Sequence, residues 1–597
     1  MKLELDVQAA ETFLYPTNMA KRDYQFNIVQ RALFDNVLVA LPTGLGKTFI
    51  AAVVILNFFR WYPKGKIVFV APTKPLVAQQ QMACHGICGL PWDVACEMTG
   101  NTAKSRRGDE WEEKRIFYMT PQTLDNDLAT GDVDPKDIVC LVVDEAHRAT
   151  GNYAYCNIVS QMQAVNPYFR ILALTATPGS TSERVQEVID NLHISLIELR
   201  TEEALDIRQY IHKKREEPIV VSMTDDFRHL RDLYLDVMDE NCNTLVTHVL
   251  LPRCDAATLH PFRVRSIYAE RKSILAQKRW LGSTINETAK MADARHHLDT
   301  FSIKMFRARI QELLDSMKKQ DSKKMKLAQV INLAASMPDE AHPKMIKCVD
   351  VILDHFSRET QDSSTRVMVF CSLREAVHEI VDLLNQQEGV KATPFIGQAS
   401  DKRGRGLTQK EQQEIIQKFK QGTYNVIVAT SIGEEGLDIG EVDLIVCYEA
   451  VKDSVRMLQR VGRTGRKREG RIVVLMTEGP ESSVWQKSKD TYKGVQQTIT
   501  AGHSVTLFDD VPRLVPQSIK PTAHFEELDQ PEFEPAMISS KKAAGKSQSH
   551  GERSEEEEAG RGGGSVSTGC GAERRPATHR IEAHHYLQHR QSRRDYK

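Results

Sequence analysis

Val37-Leu-Val-Ala-Leu-Pro-Thr-Gly-Leu-Gly-Lys-Thr48 is the stretch that decides how this chain folds. Its apolar opening, Val37–Leu41, reads as a buried strand, and Thr48 to Phe59 follows a helical pattern. Strand, glycine-rich turn and helix start, in that order, make the context that a phosphate-binding loop requires. Gly44 and Gly46 let backbone N–H groups close on phosphate oxygens, an approach any Cβ would obstruct. Leu41, Pro42, Thr43, Gly44, Leu45, Gly46, Lys47 and Thr48 are therefore assigned to ATP, with Lys47 reaching the β- and γ-phosphates and the Thr48 hydroxyl on Mg²⁺. The strict pattern asks for glycine where Leu41 stands. Upstream, Tyr24-Gln25 offers an amide that could read adenine, with a buried helix glutamine as the plainer alternative.

Asp144-Glu-Ala-His147 follows the apolar run Val139–Val143, at the strand end where open α/β sheets bind ligands. Asp144 is the second candidate for Mg²⁺, and Glu145 would orient and deprotonate the water that attacks the γ-phosphate. Ala146 completes the tetrapeptide; His147 either links this site to another lobe or makes a structural hydrogen bond. Thr175-Ala-Thr177 ends a further apolar run, so its hydroxyls are candidates for coupling to Asp144 or His147, with a turn cap as the default. Gln459-Arg-Val-Gly-Arg-Thr-Gly-Arg466 alternates guanidinium groups with glycines. Arg463 and Arg466 suit charge stabilisation during phosphoryl transfer, with Gln459 near the attacking water. Thr430-Ser-Ile-Gly-Glu-Glu-Gly-Leu-Asp438 places Gly436 and Asp438 toward nucleotide and Thr430 and Ser431 toward a strand phosphate. Thr73, Lys74, Thr99 and Thr120 sit after strands or in turns, as donors for a phosphodiester backbone held without reading its sequence.

A chain of 597 residues exceeds one hydrophobic core. Its 79 Lys+Arg against 80 Asp+Glu exclude a whole-chain basic argument for nucleic acid. No apolar run approaches the roughly 20 residues of a bilayer span, and no membrane association is expected. The 11 cysteines are scattered, which reads as reduced thiols. Cys84, His85 and Cys88 lack a matching second pair, so no metal centre is expected there. Strand candidates separated by helices run from 36 to about 200 and again from about 345 to 500, implying two doubly wound parallel sheets. Between them the chain reads as almost wholly helical, with an amphipathic stripe of Ile303, Phe306, Ile310, Leu313, Leu314 and Met317. From Pro261 to Val330 there are 16 Lys/Arg against 7 Asp/Glu, so Lys323, Lys324 and Lys326 become nucleic-acid candidates. From Ser539 the charge blocks and low apolar content predict disorder.

Six motifs in order across residues 22 to 470 resemble those of superfamily 2 helicases: LPTGLGKT, APTKPL, DEAH, TAT, ATSIGEEGLDIG and QRVGRTGR. In such motors a loop without the first glycine is common, so Leu41 becomes a marker of type. Within the superfamily, RDYQFNIVQRALFDNVLVALPTGLGKTFIAA, DEAHRATGNYAY, RTEEALDIRQYIHKK and SIGEEGLDIGEVDLIVCYEA resemble the FANCM/Hef family over about residues 11 to 535, its fungal members above all. The resemblance implies two RecA-like lobes, at 1–203 and 343–510, around a DNA-gripping helical insertion at 204–342, followed by an extension and disordered tail at 511–597. It further implies a nuclear, ATP- and Mg²⁺-dependent 3′-to-5′ helicase acting on single-stranded or branched DNA (forks, D-loops, Holliday junctions), with repair-complex and histone-fold partners. Two rival readings are a helicase of RIG-I/Dicer type stimulated by double-stranded RNA, and an ATPase-dead nucleic-acid-binding scaffold. Intact Lys47, Asp144, Glu145 and Arg466 argue against the scaffold.

Overall fold

A computed structural model describes residues 3–100, 102–317, 322–337, 341–358, 365–399, 405–434, 437–465, 468–478, 480–501 and 505–529. Gly436, Arg466 and the tail from 530 onward lie outside these residues.

The first lobe is a seven-stranded, all-parallel sheet. Across the sheet the order is Ala95–Met98, Ile116–Met119, Lys66–Val70, Ile138–Val143, Arg170–Thr175, Val37–Ala40 and Leu196–Leu199. Central strands such as Val37–Ala40 and Ile138–Val143 are buried along their whole length, because helices cover both faces and leave no polar side. That burial makes them continuous apolar runs in the sequence. The outer strands Ala95–Met98 and Leu196–Leu199 mix exposures and carry Glu97 and Glu198, so no such run announces them.

The second lobe is a six-stranded parallel sheet ordered Ala392–Phe395, Val426–Ala429, Val367–Phe370, Leu444–Cys447, Gly470–Thr477 and Lys214–Val221. Its last strand corrects the boundary at 204. Lys214–Val221 pairs in register with Gly470–Thr477, so this part of the expected helical insertion belongs to the second lobe. The strand exposes the charges of Arg215 and Glu216 and contains Pro218, both tolerated at a sheet edge. The charges that mask it are used across the sheet: Arg471 pairs with Glu217 at 2.9 Å.

Helices Asp225–Thr247, Pro261–Glu270, Lys272–Gln277, Leu281–Thr300, Ile303–Ser316 and Ser322–Ser336 form the insertion around a separate apolar core. The stripe from Ile303 to Leu314 is buried in it, with Met317 packed at its margin. The insertion docks on the second lobe, where Tyr448 donates to the Thr300 carbonyl at 2.8 Å and stacks on Phe301.

The extension from 511 returns to the first lobe. Thr522–Glu526 pairs in parallel with Thr12–Pro16 beside the first lobe. Fully buried Arg170 donates to the Pro512 carbonyl at 3.1 Å, and Asn57, buried in the helix after the phosphate loop, bonds both backbone groups of Leu14. Among the described residues no helix is long and apolar enough to cross a membrane.

Candidate functional site

Three neighbouring strands end at one edge of the first sheet and deliver the loop, the DEAH tetrapeptide and Thr175 side by side. Gly44 and Gly46 take φ of 85° and 77°, the left-handed region that glycine enters without strain. A Cβ on Gly46 would also stand 2.2 Å from the Gln25 amide nitrogen. Leu41 is fully buried; its backbone N–H donates to the Thr175 carbonyl at 3.2 Å. Lys47 Nζ donates to the Leu41 carbonyl at 2.8 Å and more distantly to that of Pro42, at the N-terminus of helix Lys47–Trp61. That helix start aims unpaired N–H groups and positive dipole at the loop, a ready site for phosphate.

Thr48 and Asp144 are joined by a residue the sequence reading overlooked. The Thr48 hydroxyl donates to Gln80 Oε1 at 2.9 Å, and Gln80 Nε2 donates to Asp144 Oδ2 at 3.1 Å. Burial pushes the Asp144 carboxyl up to about 7, with the Glu145 charge adding to the effect. A buried carboxylate and a hydroxyl, both oriented by the Gln80 amide, give hard oxygen donors that fit Mg²⁺ completed by phosphate oxygens. Among the described residues no cluster of three His, Cys, Asp or Glu forms a self-sufficient metal centre. Burial pushes the Cys84 thiol up to about 12 and the Cys88 thiol well above its ordinary value, and His85 Nδ1 lies 2.8 Å from the Leu90 carbonyl.

Glu145 is held at φ 50°, ψ 48°, uncommon for a side chain with a Cβ. His147 Nδ1 lies 3.1 Å from Thr175 Oγ1 and 3.3 Å from the Glu145 carboxylate. Burial holds the imidazole below its ordinary range, so it is neutral near pH 7. Thr175 Oγ1 in turn bonds both backbone groups of Thr177. Ala146 is buried behind them. The DEAH turn and the TAT turn are thus one hydrogen-bonded unit.

The second lobe reaches this edge through helix Ser454–Val461, capped by Asp453, and the turn after it. The Thr43 hydroxyl donates to the Gly462 carbonyl at 2.9 Å, and Thr464 and Gly465 wall the loop together with Tyr210 and Lys214. Three expected nucleotide contacts are placed otherwise. Arg463 is buried and donates to the Glu434 carbonyl at 3.0 Å and to that of Leu437, so it fastens the preceding loop of its own lobe. Asp438 pairs with Lys420 at 2.5 Å, while its N–H donates across the lobes to Gln79 Oε1 at 2.7 Å. Gln25 is buried, and its amide donates to the Leu45 carbonyl at 3.1 Å. Each follows from packing that spacing cannot show. Gln459 is half-buried on the helix.

Thr73, Lys74 and Thr120 line a cavity of about 540 Å³ between the lobes, faced by Gln398, Gln409, Gln412, Ile432 and Leu437 of the second. Thr99 is next to Gly100 on its wall, and Thr430 and Ser431 lead into Ile432. Lys323, Lys324 and Lys326 do not join this groove. Lys323 bonds Asn241 at 2.6 Å and Glu287 at 3.3 Å, Lys324 bonds the Met317 carbonyl at 3.1 Å, and Lys326 pairs with Glu240. They hold the last insertion helix against its neighbours. The exposed basic surface lies instead along 262–280, where Arg265, Lys272, Lys278 and Arg279 alternate with exposed Phe262, Tyr268 and Trp280.

The helicase conserved C-terminal domain family matches residues 344–468, and the family of the type III restriction enzyme res subunit matches residues 18–180. The Pyrococcus furiosus Hef helicase domain superposes with a TM-score of 0.60 at 33% identity, covering 78% of this chain and 98% of that one. ATP-dependent DNA helicase mph1 of Aspergillus oryzae is 43% identical over 89% of this chain and 50% of its own length. The namesake of Neurospora crassa is 43% identical over 87% of this chain and 46% of its own. The chain therefore spans about half the length of the curated relatives it matches.

Proposed function

This chain belongs to the FANCM/Hef family of superfamily 2 helicases, and on that premise we propose that it is an ATP-dependent DNA helicase or translocase that remodels branched DNA in repair, with 3′-to-5′ polarity. The observation that carries the reading is the Thr43–Gly462 bond, because it puts the phosphate loop at the seam of two lobes. A nucleotide bound there touches both halves, so its hydrolysis changes how they meet.

In this reading phosphate draws Lys47 from the Leu41 and Pro42 carbonyls, and Thr48 and Asp144 would hold Mg²⁺, whose charge would offset that of the phosphates. Glu145, beside neutral His147, orients the attacking water, and His147 passes its position to Thr175 and Thr177. A single strand lies in the groove of Thr73, Lys74 and Thr120, gripped through its backbone. The 262–280 surface adds stacking and phosphate contacts from the insertion. A nuclear location and repair-complex or histone-fold partners are part of the same proposal.

The test is ATPase activity of the chain and of Lys47→Ala on single-stranded, forked and four-way DNA and on duplex RNA. Stimulation by branched DNA, abolished in Lys47→Ala while DNA binding persists, supports the reading. Stimulation by duplex RNA alone would overturn it.

A further inference from the structure

Helix Lys74–Cys88 begins on the groove wall, and of its three consecutive glutamines Gln79 and Gln80 work on different partners. Adjacent helical residues diverge by about 100° around the axis, so Gln79 and Gln80 face different neighbours. Gln80, almost fully buried, stands between Thr48 and Asp144. Its carboxamide accepts from the hydroxyl through oxygen and donates to the carboxylate through nitrogen at once. Taking the Thr48 proton away from the site leaves that oxygen's lone pairs for a cation, and the bond to Oδ2 fixes the rotation of the Asp144 carboxylate. Gln79 Oε1 accepts the Asp438 N–H at 2.7 Å, a contact from the first lobe to the loop of the second that Arg463 fastens.

We propose that Gln79 and Gln80 form a coupler, in which Gln80 positions the two Mg²⁺ ligands and Gln79 transmits their state to the second lobe through the Asp438 backbone. The proposal rests on the ATP-driven reading above and extends it to Gln79 and Gln80. One rigid helix thereby contacts the metal ligands, the facing lobe and the strand groove, so filling the metal site biases how the lobes close on DNA.

The test uses the full chain with mant-ADP, in Mg²⁺ or in EDTA, and a single-stranded oligo(dT) with or without Mg²⁺·AMP-PNP. The unsubstituted chain binds mant-ADP more tightly with Mg²⁺, and Mg²⁺·AMP-PNP changes its oligo(dT) affinity. Absence of Mg²⁺-dependent nucleotide binding there would overturn the functional reading, and the coupler with it. Gln80→Met, similar in shape but without the amide, loses roughly tenfold or more of the Mg²⁺-dependent gain, the scale of lost outer-shell partners, and keeps its affinity in EDTA. Gln80→Asn, too short to span both partners, behaves alike and guards against a packing effect of methionine. Gln79→Ala keeps the Mg²⁺-dependent gain, but its oligo(dT) affinity no longer responds to Mg²⁺·AMP-PNP. A full Mg²⁺ gain in both Gln80 variants, or an unchanged oligo(dT) response in Gln79→Ala, would overturn the proposal.

Discussion

Arg463→Ala separates two roles that the QRVGRTGR pattern cannot tell apart. In the structure the guanidinium is buried and donates to the carbonyls of Glu434 and Leu437. Truncation orphans the Glu434 carbonyl in a site where water reaches poorly, while the Leu437 carbonyl keeps the Ile439 N–H at 2.9 Å. An unsatisfied buried acceptor costs about 1–3 kcal/mol, and a loss of that size is predicted. In a lobe of this size each kcal/mol moves the melting midpoint by about 2–4 °C, giving a fall of roughly 2–12 °C. Differential scanning fluorimetry without nucleotide reads this directly, and limited proteolysis should show new cleavage near Glu434–Asp438. A residue that only contacts the γ-phosphate would leave the nucleotide-free protein as stable as before. A midpoint unchanged within about 1 °C, with ATP turnover lost, would refute the structural role argued here.

Gly46→Ala should abolish mant-ADP binding, because the new Cβ meets the Gln25 amide at 2.2 Å and φ is 77°; retained affinity would contradict the loop geometry. Asp144, pushed from 3.8 up to about 7 by burial, keeps a proton in the folded state that the unfolded chain releases. Stability of the nucleotide-free protein in EDTA therefore falls as pH rises between those values, and Asp144→Asn flattens the fall, as thermal melts across the range will show; equal slopes would refute it. Reversing charge at Lys272, Lys278 and Arg279 should weaken DNA binding and flatten its salt dependence without lowering the melting midpoint. Reversal at Lys323 and Lys326 should lower the midpoint, since these residues bond Asn241, Glu287 and Glu240 inside the insertion; the opposite assignment in paired salt titrations and melts would be decisive against this.

Strands with two covered faces were legible because burial forbids polar residues along them. Val37–Ala40, Ile138–Val143 and Val426–Ala429 appear in the sequence as apolar runs for that reason. Lys214–Val221 and Thr522–Glu526 were not, because half-exposed edge strands carry the charges of a loop and are defined by their partners.

The site divides the same way. The sequence by itself determined the phosphate loop, since glycine backbone freedom, Lys47 and a helix start act within a few consecutive residues. It likewise determined DEAH as the partner of that loop, while the TAT turn, open to a plain cap by sequence, was placed beside both by the sheet order. Only tertiary structure decided that Gln80 bridges Thr48 and Asp144, that Arg463 braces its own lobe, and that Lys323 and Lys326 serve packing. Each of those outcomes depends on which partner lies within about 3 Å of a polar atom, and that distance is set by residues far apart in the chain.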